Sequence, residues 1–388
     1  VESRGLGDVY KRQGNERYFH LIISVIKVLF FMKIAMILPS LANKGPILVA
    51  RDLCIEYKKM GHECSVFYFD DIVEVELPCP SKRISFWRPI DWNAFDIVHS
   101  HMYRSDAYVF FHKPILRKCR TKFITTLHQH IAEQMPFDFP AAKASFVIHT
   151  WLLFLRRFDV LVTLSEYHKA YYQKCGLCNV EVIYNGRDVN CDTDIEDSDR
   201  QAIMNLKQKY RIIGGVAYIT KRKGYAQLID ALKKLPRYAL ILVGDGPHLS
   251  ELQQQARQNG VDGRCLWLGN RKEGGRYMKY FDVYALCSHT EGYPLAFIEA
   301  AAAKLPVVCS DIPVFKSIIP EECSCFFRLG NIDSLCDALV CADKRADVLS
   351  EKVYAYYLHY LVRGKMAENY MALYNRVLNT GSASVEKK

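Results

Sequence analysis

Apolar residues fall in short unbroken runs, each closed by a glycine or polar turn and followed by apolar positions at helical spacing. The run KIAMILP at 33–39 predicts a buried parallel strand, because a strand covered on both faces is apolar at successive rather than alternate positions. A loop with Gly45 and Pro46 follows, then helical spacing at Leu48, Leu53, Ile55 and Tyr57, a stop at Gly61, and a second strand at 64–69. This β-loop-α-β unit opens a doubly wound domain. Further strands are predicted at 96–99, 123–127, 160–163 and 180–184, and a second series at 212–219, 239–243, 266–268, 283–287 and 307–309. Between the series, NCDTDIEDSDR at 190–200 is acidic and nearly free of apolar residues, which predicts a linker. The helical spacing from 348 to 378 is not a clean heptad, so a packed helix is expected there rather than a coiled coil. The pattern as a whole predicts an α/β chain of two Rossmann-like domains, at 32–189 and 190–347, with a helical end at 348–388.

The polar positions that interrupt this pattern gather at strand ends, where ligands bind in open α/β sheets. In the first half these are His99 and His101, His128 and His130, Ser165 and Glu166, then Asn185 and Gly186. A single such histidine is more often a hydrogen-bonded structural residue; as a set they predict a polar pocket facing the second half. In the second half, Lys221, Arg222 and Lys223 form a basic turn, and Gly244 and Gly246 form a tight one. A lysine beside a helix N-terminus is placed to neutralise a diphosphate. The stretch SHTEGYPLAFIEA sets Glu291 eight positions before Glu299, roughly 12 Å apart along a continuous helix at 1.5 Å per residue. Two such carboxylates can grip two ends of an extended ligand; the alternative is an ordinary αβ unit with two exposed glutamates. The Gly45 loop lacks a GxGxxG fingerprint, so a nicotinamide or flavin site is not expected.

Composition narrows the picture further. The 388 residues suffice for two α/β cores, and 50% hydrophobic with 24% charged residues is ordinary globular usage. The net charge of +10 is spread, its longest clusters being 117–120 and 221–223, which read as solvated surface or as attraction to phosphates or an anionic membrane. No nucleic-acid module signature is present, and nucleic acid is not an expected partner. Fourteen cysteines at irregular spacing, often inside apolar runs, fit reduced thiols in a cytosolic protein. Neither Cys175 with Cys178 nor Cys323 with Cys325 has the second pair a structural zinc site needs, and no metal site is expected. Asp192 and Asp194 make a superficial DxD pair but sit in the linker and read as solvated charge. Residues 1–31 read as an upstream extension: 1–13 has no apolar periodicity, 19–31 is too short to span a bilayer, and Met32 opens the first strand. The apolar stretch 146–155, followed by Arg156 and Arg157, reads as a packed helix, with shallow membrane association as its alternative.

In order along the chain come HSH at 99–101, TLH ending at His128, VTLSE ending at Glu166, VIYNGRD ending at Asp188, RKG ending at Gly224, VGDGP ending at Pro247, and SHTEGYPLAFIEA. From Met32 to about residue 378 this ordered set resembles a bacterial family 4 glycosyltransferase of the GT-B fold, two facing Rossmann-like domains with a cleft between them. The resemblance implies retaining transfer of a sugar from a UDP- or GDP-sugar co-substrate to a glycan or lipid-linked acceptor of surface polysaccharide, in the cytoplasm or at the inner membrane face, without an obligatory metal. It implies that Glu291 holds the sugar, Glu299 the ribose, and Lys223 with Arg222 the diphosphate, aided by Gly292, Tyr293, Pro294 and Leu295 and by Gly244 and Gly246. It implies an acceptor side formed by His128, Gly45, His101, Ser165 and Asn185, and a terminal helix that crosses back to brace the first domain. Tyr218 stands where the family commonly has an arginine, Lys304 where a glycine precedes Leu-Pro, and Gly45 where two glycines are frequent. The alternatives are a sugar-nucleotide epimerase of the same fold and a non-catalytic sugar-nucleotide-binding protein.

Overall fold

A computed structural model describes residues 31–114, 120–190 and 193–382. The extension at 1–30, the basic residues at 117–119 and Asp192 lie outside the described residues. The first half forms a parallel sheet of β1 (Lys33–Leu38), β2 (Glu63–Tyr68), β3 (Ser81–Arg83), β4 (Ile97–His101), β5 (Lys122–Leu127), β6 (Val160–Thr163) and β7 (Val180–Val182), in the order 3-2-1-4-5-6-7. The second half forms a parallel sheet of β8 (Arg211–Val216), β9 (Tyr238–Val243), β10 (Cys265–Gly269), β11 (Val283–Leu286), β12 (Val307–Ser310) and β13 (Ser324–Phe327), in the order 10-9-8-11-12-13. Central strands are buried at nearly every position, β9 at all of them, as their continuous apolar runs require. The edge strands β3 and β13 are not among the predicted ones; β3 is exposed throughout and carries no apolar run to read.

Strand order reverses direction at β1/β4 in one sheet and at β8/β11 in the other. At such a switch point the connections leave on opposite faces and open a crevice at the strand C-termini. Gly45 and His101 lie after or at the ends of β1 and β4, and Lys223 and Glu291 follow β8 and β11.

Two expectations change. The predicted linker is shorter, because a helix, Asp197–Lys207, begins inside it. Asp199 there is buried and held by the Arg271 guanidinium at 2.7 Å, so its charge has an interior partner that the local composition conceals. The helix expected at 348–378 is two helices, Ala346–Tyr356 and Arg363–Ser382, joined through a wide turn at Tyr357–Leu361 and an extended Val362. Val353, Tyr357 and Leu361 pack in the second-half core, whereas Met366, Tyr370 and Tyr374 pack in the first. The break is fixed by tertiary contacts. The Arg187 N–H donates to the Leu361 carbonyl at 2.8 Å, and the Arg363 Nε donates to Glu56 at 2.7 Å. A Cβ on Gly186 would stand 2.3 Å from the Val362 carbonyl oxygen, so only glycine lets the two crossing segments lie together.

Candidate active site

The loop between β11 and the helix Leu295–Ala302 carries Glu291. Its carboxylate accepts from Lys223 Nζ at 2.6 Å and Ser288 Oγ at 2.7 Å, and pairs with Arg222 at 3.0 Å. Arg222 also donates to the Thr290 carbonyl at 2.7 Å, which ties the basic turn to this loop. Burial pushes the Glu291 carboxyl up, but the two cations and the serine outweigh it and hold it at about 2. Of the other basic residues, Lys221 turns away to the exposed Glu251 at 3.1 Å, so Arg222 supplies the second charge where Tyr218, largely exposed, cannot. Gly244 and Gly246 let their turn press under the basic one: a Cβ would meet the Ala217 carbonyl oxygen at 1.9 Å and the Ile219 carbonyl oxygen at 2.2 Å, respectively.

Glu299 lies within the helix Leu295–Ala302, and Glu291 lies ahead of it, so the axial spacing expected of one continuous helix does not apply. Pro294 precedes the helix without a side-chain cap, leaving the first-turn N–H groups facing the loop of Tyr293 and Gly292. Glu299 pairs with Arg187 of the first half at 2.9 Å. Its carboxyl is raised by burial, a shift that Arg187 opposes and Asp52 reinforces.

Across the interface the halves touch at Gly292. A Cβ there would stand 1.6 Å from the His128 carbonyl oxygen, so any side chain would prise the halves apart. Thr290 Oγ1 donates to Glu133 at 2.9 Å, and a Cβ on Gly45 would sit 3.5 Å from Leu295 Cδ1. His128 Nε2 and His101 Nδ1 share a hydrogen bond of 2.8 Å, and burial holds His128 down at about 3, leaving that ring neutral. His101 Nε2, Asn185 Oδ1 and the Tyr293 hydroxyl are buried polar atoms without a protein partner among the described residues.

Two of the predicted strand-end residues have structural duties instead. Ser165 caps the helix Glu166–Lys174, accepting from the His168 N–H at 3.1 Å, so its oxygen is engaged away from the cleft. His99 is wholly buried and bridges Thr126 and Tyr374, at 2.7 Å each. Arg187, Glu133 and Ser288 join the site beyond the residues that the sequence pattern assigns; Arg187 sits two residues after Asn185 in the VIYNGRD run. Asp194 is largely exposed and lies 3.7 Å from Lys279.

The model of the Glycosyltransferase Family 4 domain matches residues 45–190, and that of the Glycosyl transferases group 1 domain matches residues 197–355. The chain is 28% identical over 352 residues to an Escherichia coli O-antigen biosynthesis glycosyltransferase, WclY, covering 89% of this chain and 99% of that protein. It is 25% identical over 286 residues to an Escherichia coli UDP-Gal:alpha-D-GlcNAc-diphosphoundecaprenol alpha-1,3-galactosyltransferase, covering 69% of this chain and 72% of that one. Among solved structures, Anabaena Alr3699/HepE in complex with UDP and glucose superposes with a TM-score of 0.73 at 18% identity, covering 89% of this chain and 100% of that one. WaaG, a glycosyltransferase involved in lipopolysaccharide biosynthesis, superposes with a TM-score of 0.65 at 16% identity, covering 88% and 99%. The paired parallel sheets are thus those of a GT-B fold. With a family 4 half followed by a group 1 half, the chain belongs to the glycosyltransferases.

Proposed function

We propose that the enzyme transfers a sugar, with retention of anomeric configuration, from a UDP- or GDP-sugar to a glycan or lipid-linked acceptor of bacterial surface polysaccharide. The observation that carries the reading is the convergence of Glu291, Lys223 and Arg222 at the β8/β11 switch point, directly opposite the His128 backbone at the end of β5. The O-antigen role of the WclY relative and the UDP and glucose of the Anabaena structure support the substrate class.

In this reading the second half, 190–347, takes the donor and the first, 32–189, the acceptor, with 348–388 joining them. Glu291 accepts hydrogen bonds from the sugar hydroxyls, and its ionised state at neutral pH suits that role. Glu299 accepts from the ribose, with Arg187 holding its carboxylate charged. Lys223 and Arg222 take up charge on the departing β-phosphate, together with the N–H groups of Gly292, Tyr293 and Leu295, an electrostatic contribution that grows as the glycosidic bond breaks. The bond from the anomeric carbon to phosphate breaks while the bond to the acceptor oxygen forms on the same face, and a phosphate oxygen takes the acceptor proton. His128 and His101, neutral rings, along with Asn185 and the Gly45 loop, line the acceptor side. The two cations supply the positive charge that a divalent metal would bring, so none is obligatory.

The acceptor side also offers a membrane face. The helix Ala141–Leu155 buries Trp151 and Leu155 and exposes Phe146 and Leu153, beside an exposed Phe111. Among the described residues no helix is long and apolar enough to cross a membrane; contact through this helix face is peripheral, on the cytosolic leaflet in this reading. Nucleotide sugars offered with lipid-linked acceptors should release nucleotide only when an acceptor is present, with a product heavier by one sugar. Acceptor-independent conversion of the donor into its epimer would overturn the proposal. Phe146→Asp with Leu153→Asp should lower sedimentation with anionic vesicles, and unchanged sedimentation would remove the membrane clause alone.

A further inference from the structure

Three cysteines separated by 10 and 15 residues meet beside β2 of the first sheet. Cys54 lies in the helix Gly45–Lys59, Cys64 in β2, and Cys79 in the loop leading to β3. Their sulfur atoms all lie within 4.8 Å of one another, with Cys54 and Cys64 at 3.3 Å. Cys54 and Cys64 are buried, and Cys79 is half-buried at the mouth. We propose that these thiols form a three-sulfur site for a thiophilic closed-shell cation, cuprous copper foremost.

The dimensions fit. Metal–sulfur bonds of about 2.3 Å place three ligands around a trigonal centre about 4 Å apart, so small side-chain rotations suffice here. Coordination number then selects the ion. Among the described residues no fourth histidine, cysteine or carboxylate joins the group. Zinc in closed sites takes four ligands, whereas soft thiolates favour monovalent copper, which accepts three. The surroundings are dry: Leu53, Tyr57, Val66 and Leu77 belong to the same core cluster. Entry is on the Cys79 side. There Lys58 holds the Pro78 carbonyl at 3.1 Å, fixing the residue before Cys79. As copper–sulfur bonds form, the thiol protons leave to solvent, so affinity rises with pH. No electron is transferred. The bound ion would link the helix, the strand and the loop of the exposed edge strand β3, a staple distant in sequence from Glu291 and Glu299.

The test is anaerobic titration of the whole protein with cuprous ion buffered by a chromogenic chelator. One ion per chain should bind, shield Cys79 but not the exposed Cys178 from alkylation, and raise the melting temperature. Cys79→Ser, at the half-buried position, should keep the fold and weaken binding at least tenfold, and Cys64→Ala should do the same. Equal affinity in wild type and both variants would overturn the site, as would a Cys54–Cys64 disulfide, two mass units lighter, forming in place of metal binding. Zinc binding tighter than copper would overturn the three-coordinate assignment.

Discussion

Glu291 and Glu299 stand eight residues apart and live in opposite surroundings. Among the described residues the Glu291 carboxylate has three partners, Lys223, Arg222 and Ser288, all from its own half, and Glu299 has one ion-pair partner, Arg187, from the other half. The first carboxyl is held at about 2, and the second is raised by its burial. A carboxylate clamped inside one rigid unit is preorganised for the reacting end of a ligand. One whose charge depends on a residue across the cleft reports how the halves sit. In the proposed function Glu291 takes the chemistry and Glu299 donor affinity, tied to closure, and the contrast supports that division.

The sharpest way to break this division is Glu291→Ala, which should lower kcat by about 10²–10³-fold while nucleotide binding changes little, as for loss of one electrostatic contact at the reacting centre. An unchanged kcat with a weaker nucleotide titration would reverse the two roles. Gly292→Ala comes next. Its methyl meets the His128 carbonyl oxygen, so kcat/KM should fall by roughly 10²-fold through misplacement of the two halves. Glu299→Ala should weaken nucleotide binding about tenfold, near 1.4 kcal/mol, at almost constant kcat, read by calorimetry. The smallest effect is expected of Arg187→Ala. Without that guanidinium, burial and Asp52 act on Glu299 unopposed and raise its carboxyl further. The acid limb of donor binding should then move to higher pH, with a few-fold loss at neutral pH.

Stability against pH sets the two carboxyls apart once more. Glu291, lowered in the folded protein, contributes stability that is complete above its ordinary 4.5 and is lost as pH falls toward 2. Glu299, raised, has the opposite sign: folding favours its protonated form, and its contribution declines as pH rises through its folded value. Urea unfolding of Glu291→Ala across acid pH should show a shallower loss of stability than the parent chain.

The charged half of the site was legible in the sequence because charge at a strand end has few other uses. Lys223, Arg222 and Glu291 each follow a strand of the second series, and they meet. The polar half was less legible because histidine and serine serve equally well inside. What makes His99 structural is Tyr374, 275 residues later, and what makes Ser165 a cap is the helix that starts just after it. The fold class and most of the strands were written in local apolar runs. The break at Val362 was not: its neighbours Leu361 and Arg363 are held by Arg187 and Glu56, which no local pattern brings near. The cysteine trio escaped for the same reason, with separations of 10 and 15 residues that match no ligand motif.

The return of the helix Arg363–Ser382 to the first half makes that half a two-piece body, closed by segments from both ends of the sequence. A polypeptide stopped before Arg363 would lack Met366, Tyr370 and Tyr374, which complete the first-half core. The half that suffers from such a truncation is therefore the one farther away in sequence. Conversely, a single protease nick near residues 193–196 severs one of two connections. The segment at 361–363 still tethers the halves, so the nicked enzyme should run as one particle under native conditions and as two chains once denatured.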